Sequence, residues 1–101
     1  MLEASQINSL TADQKAAYAR QEEVFQSSGW KDIVAWAQAQ VLMQSERMSS
    51  ASSWDHHLVA RGARAAFMSV VQLQDTTEAE YVGMAAQAAE HELTLDEIAH
   101  E

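Results

Sequence analysis

An all-α fold is what this sequence predicts, and three observations carry the prediction. The chain holds no proline and only three glycines in 101 residues, so little in it interrupts a helix. Apolar residues recur at helical spacing along most of its length, and no alternating Val/Ile/Thr run reads as a strand. Nineteen residues are alanine, which favours helices packed close together over a thick core.

A chain of this length is at most one domain with a modest core. Residues 1–9 contain Leu2 and Ile7 but no strong helix signal, so they read as an N-terminal arm, mobile or docked on a partner. Residues 10–101 then form a single helical domain. Thr11 and Gln14 make a capping box that opens a helix over about 12–26. Its buried side is Ala17, Tyr18, Val24 and Phe25, and Gln21, Glu22 and Glu23 interrupt it.

The organising feature is an antiparallel helical hairpin. Gly29 closes the preceding helix, and Ser27 or Ser28 caps the next one, over about 30–48. On it Ile33, Val34, Ala37, Val41 and Met48 share one face. Trp36 and Met43 sit beside that stripe, and Ala35 and Leu42 lie on the far side. An apolar arc this broad is usually covered from more than one direction. The turn is Ser49-Ser50-Ala51-Ser52-Ser53. Ser52 or Ser53 caps a helix over about 54–73, where Asp55 suits the positive end of the dipole. Each hairpin helix is about 30 Å long, and the short connection makes them neighbours.

The second hairpin helix has two sides. Leu58, Gly62, Ala65, Ala66, Ser69 and Leu73 make a surface of small and apolar groups, which Val59, Ala63, Phe67 and Val70 extend. Gly62 in mid-helix costs about 1 kcal/mol relative to alanine. The return expected for that cost is close approach of a neighbouring backbone along a shallow groove. The opposite side carries a basic ridge of His57, Arg61 and Arg64 with Gln72. Salt bridges to acidic residues of this chain or a neighbour are the first reading of that ridge, and phosphate binding the second.

Beyond the hairpin, Asp75, Thr76 and Thr77 mark a boundary. Thr77 and Glu80 form a capping box that opens a helix over about 78–92. Its stripe is Tyr81, Val82, Ala85, Ala88 and Ala89, with Met84 at the border. Thr94 and Glu97 make a further capping box, and Leu93 and Ile98 a hydrophobic staple. The preferred reading is a break at Thr94 and a short last helix from Leu95; the alternative is one uninterrupted helix.

Composition narrows the function. The chain has no cysteine, which excludes a disulfide scaffold and a Cys-based zinc site. No apolar run approaches a membrane span, and the start shows no basic-then-apolar signal sequence, so cytoplasmic synthesis is the expectation. Net charge is −9, and residues 65–101 hold eight acids with no Lys or Arg. Such a half repels nucleic acid and suits a basic protein surface, or serves as a solvated face. Asp55-His56-His57 and Glu90-His91-Glu92 are the only ligand-rich clusters. Adjacent helical residues point about 100° apart, and position 95 is Leu where an HExxH motif needs His. No metal, cofactor or catalytic constellation is therefore expected, and the chain reads as a non-enzyme.

Trp30, Trp36 and Trp54 weigh between core packing and interface anchoring, with Trp36 the favoured anchor because it sits off the main stripe. Met43 and Met48 supply an adaptable surface near it. With Gly62, Ala66, Arg61 and Arg64, these are the expected partner-binding residues.

Ser28-Gly29-Trp30-Lys31, then Ser53-Trp54-Asp55, then Arg61-Gly62 before Ala65 and Ala66, resemble short helical proteins from the head and portal gene clusters of tailed bacteriophages. The likeness covers about residues 28–73. It implies a virion structural or assembly role, in many copies on a ring such as the portal or head–tail connector, with capsid or portal proteins as partners. The reading from another class is a soluble acidic regulator that occupies a basic surface on a host protein in the cytoplasm.

Overall fold

The computed structural model describes the backbone of residues 1–100 and the side chains of residues 1–93. It holds five helices: α1 (Ala4–Ser9), α2 (Ala12–Gln26), α3 (Ser28–Ser49), α4 (Trp54–Val71) and α5 (Leu73–His100). Among the described residues there is no strand. The all-α class and the α3/α4 hairpin are as the sequence predicts.

Local chemistry explains most helix starts. The Thr11 N–H donates to Gln14 Oε1 at 2.9 Å and the Gln14 N–H to Thr11 Oγ1 at 3.2 Å, a closed capping box ahead of α2. Of the two serines that could cap α3, Ser27 does so, accepting from the Trp30 N–H at 3.2 Å. Ser53 caps α4, accepting from the His56 N–H at 3.2 Å. Ser52 instead meets the His56 ring at 3.3 Å.

The chain forms two compact units, Met1–Glu23 with Asp75–Glu101, and Val24–Gln74. In the first, residues 1–9 are not a free arm. Gln6 Oε1 accepts from the Glu3 N–H at 2.8 Å and helps start α1. Leu2 and Leu10 are buried with Tyr18, Tyr81 and Ala85, and Ile7 packs against them. The Tyr18 and Tyr81 rings meet edge to face, with centroids 5.1 Å apart. The buried Leu2 N–H donates to Tyr18 Oη at 3.0 Å, and the Met1 ammonium pairs with Glu78 at 3.0 Å. The segment lacks a long apolar stripe, so sequence periodicity gives no sign of this docking; the contacts come from residues 16 to 77 positions away.

In the second unit, α3 and α4 pack as an antiparallel pair. Trp36 meets Phe67, Ser45 meets Arg64, and Met48 meets His57, so the partner number falls as the first rises. The interior is thin. Ala37, Val41 and Ala60 are buried, Gln44 joins them, and Trp30 closes one end against Phe25 at 5.1 Å. Small side chains let the helices approach, at the cost of a shallow core.

Four boundaries differ from expectation, the first being that Gly29 does not close the preceding helix but lies in the first turn of α3. α4 ends at Val71, and α5 begins at Leu73, five residues before the expected start at 78. Only Gln72, at φ −90 and ψ −1, separates them. The Asp75–Thr77 boundary is therefore absent, and α5 continues through Thr94 without a break. Capping residues favour a start but do not forbid passage, and nothing from Leu73 onward has the helix-stopping force of proline. The Thr94/Glu97 box and the Leu93/Ile98 staple involve side chains outside the described residues.

Candidate docking surfaces of the hairpin

On α3 the faces follow spacing except at two positions: Ile33, expected on the inner stripe, is 49% exposed, and Gln44, not expected there, is buried. Ala37, Val41 and Gln44 are buried toward α4, and Val34 and Met48 are half-buried at the edge of that stripe. Ile33, Trp36 and Met43 lie to one side and stay exposed. Trp36 keeps 54% of its surface in solvent, although its ring stands edge-on to Phe67 with centroids 5.4 Å apart. That contact holds the indole in place while leaving most of it uncovered, as a pre-organised anchor requires. Leu42 is exposed on the far side, as its position predicts.

On α4, Ala60 is the buried residue, with Ala63, Arg64, Phe67 and Val71 half-buried around it. Leu58, Val59, Gly62, Ala65, Ala66 and Ser69 consequently face outward. A Cβ added at Gly62 would meet nothing within 4 Å. The close backbone approach expected at Gly62 is thus not made among the described residues. The small-residue surface is an open face, and Val59, 73% exposed, is its most prominent apolar group.

The basic ridge is divided by the structure. Arg64 turns into the hairpin and its Nε donates to Ser45 Oγ at 2.9 Å. His57 is also half-buried, with Nδ1 3.2 Å from the Met48 carbonyl. Arg61 and Gln72 stay exposed. Among the described residues, neither Arg61 nor Arg64 forms an ion pair. Within the hairpin, the α3/α4 register brings Arg64 to Ser45.

Trp54, which the sequence leaves between core packing and interface anchoring, is 67% exposed and stacks on His57 at 5.2 Å with an 11° interplanar angle. Trp30 is buried and packs against Phe25. Near the turn, an open hollow of about 300 Å³ lies between Gln44, Arg47, Ser50, His56 and Val59.

Among the described residues, no three His, Asp or Glu side chains come together as metal ligands, and no helix is long and apolar enough to cross a membrane. The hairpin thus presents two uncovered apolar faces, one on α3 and one on α4. No protein-family model, curated protein or solved structure matches this chain.

Proposed function

We propose that this chain is a non-enzymatic docking protein, and specifically a structural or assembly component of a tailed-phage particle. It would be present in several copies on a ring such as the portal or connector. The observation that supports docking is the hairpin's pair of uncovered faces: Trp36 and Met43 on α3, and Gly62 with Ala66 and Val59 on α4. An exposed apolar surface with a held aromatic anchor gains free energy only when a partner covers it. The particle setting rests on the sequence resemblance over residues 28–73. In this reading both faces pack on neighbouring proteins, and the acidic C-terminal part sets orientation.

A second reading follows from charge. Asp75, Glu80, Glu90 and Glu92 are all exposed, and the last third of the chain has no Lys or Arg. That suits a regulator that occupies a basic host surface.

The two are separated by fractionating particles and free lysate with a tagged chain. The virion reading expects the chain to co-sediment with intact particles in stoichiometric, multiple copies. It also expects Trp36→Ala or Gly62→Leu to reduce incorporation by more than tenfold while helicity changes little, as loss of a hot-spot contact would. Absence from purified particles, with capture of one host protein, would replace it with the regulator. Equal losses of helicity and incorporation would remove these residues from any interface.

A further inference from the structure

The exposed side of α3 has an order that complements itself. Asp32, Trp36, Met43 and Arg47 all fall within an arc of about 60° at 100° per residue. All four are exposed. The stripe reads acid, aromatic, thioether, base, with Ala39 and Gln40 at its middle. It spans about 22 Å at 1.5 Å per residue.

Among the described residues, no ion pair involves Asp32 or Arg47. Three and four residues along the stripe from each there is no opposite charge: Ala35 and Trp36 follow Asp32, and Met43 and Gln44 precede Arg47. They are fifteen positions apart, too far to pair with each other.

A second copy turned end for end answers both. With the two-fold axis between Ala39 and Gln40, Asp32 of one copy faces Arg47 of the other, at each end of the contact. Trp36 faces Met43, again twice, a sulfur-on-indole contact that polarizable thioethers favour. Parallel alignment would set Asp32 on Asp32 and Arg47 on Arg47, which repel. A two-fold contact requires a patch that matches itself under reversal, and this stripe does.

We infer that the chain forms a two-fold homodimer through antiparallel pairing of α3 with α3 of a second copy, centred between Ala39 and Gln40, with Asp32 set against Arg47 and Trp36 against Met43. This contact closes at two copies. It leaves the Gly62/Ala66 face of α4 open, and it does not rest on the particle reading. A single helix face covers less than the roughly 800 Å² per partner of a standard stable complex, which puts this dimer among the weak, reversible contacts. Its charged ends make it weaken as salt rises.

The test is sedimentation equilibrium of the full chain from 5 to about 500 μM, with circular dichroism on every variant. The wild-type chain should sediment as a reversible dimer. D32R and R47D should each weaken dimerisation about tenfold, because each replaces two attractions with two repulsions. Trp36→Ala should weaken it about thirtyfold, since the indole enters the contact twice. The double swap D32R/R47D should restore the wild-type constant to within about threefold. A mixture of D32R with R47D should form heterodimers in preference to either homodimer, because every end pair is then opposite in sign. A wild-type chain that stays monomeric across the range overturns the proposal. So does a dimer indifferent to the single swaps, or single-swap losses with neither rescue by the double swap nor heterodimer formation.

Discussion

Gly62 shows how a residue's cost and its setting have to be read together. Glycine in mid-helix is disfavoured by about 1 kcal/mol, and here no neighbouring atom of the described residues would clash with a methyl group. Gly62→Ala should therefore stabilise the isolated chain by about 0.5–1 kcal/mol in chemical denaturation. An unchanged or lowered midpoint would mean that something presses on that face in the free protein. Trp36 and Arg64 differ in a related way. Both lie beside the α3/α4 seam, yet the indole keeps its surface while the guanidinium spends one N–H on Ser45. Arg64→Ala should consequently cost stability with little effect on assembly, whereas Trp36→Ala should do the reverse.

Helices α3 and α4 owe their starts to single serines. Ser53 satisfies one otherwise unpaired N–H of the first turn, and Ser52 touches only the His56 ring. Ser53→Ala should cost about 1 kcal/mol, which lowers the melting temperature of a domain this size by about 4–8 °C. Ser52→Ala is the matched control and should move it by less than about 2 °C. Equal shifts would show that the turn as a whole, not the cap, sets the start of α4. The last two helices teach the converse. Thr77 and Thr94 both carry capping patterns, and α5 passes through both positions. A start signal is weak wherever the preceding residues already support a helix.

The molecule's N-terminal unit should respond to alkali. Burial raises the Tyr18 hydroxyl above its ordinary value of 10.0, although the bond from the Leu2 N–H pulls the other way. The bond to Glu78 raises the Met1 ammonium above its ordinary value of 8.0. A pKa raised in the folded state contributes stability that is complete below the unfolded value and is lost as pH climbs through the folded one. The stability owed to the ammonium therefore fades from above pH 8 and that owed to the phenol from above pH 10. Amide exchange in α1, corrected for its intrinsic pH dependence, should lose protection over that range, and α3 should keep its own. Tyr18→Phe should abolish the component above pH 10 while costing about 1–3 kcal/mol at neutral pH, because the buried Leu2 N–H loses its acceptor. Retention of the upper component in that variant would assign it to another group.

Residue order was enough to establish the helical class, the hairpin, the α2 capping box and the outward position of Trp36, because each depends on neighbours within a few positions. Helical spacing alone put Trp36 and Met43 beside the stripe, and the fold leaves them there. The docking of α1 through Leu2 and Tyr18, the turning of Arg64 toward Ser45 and the empty space at Gly62 were decided by packing between distant segments. Periodicity says which residues share a face. It carries no information about which neighbour meets that face, since the choice depends on the relative rotation of whole helices.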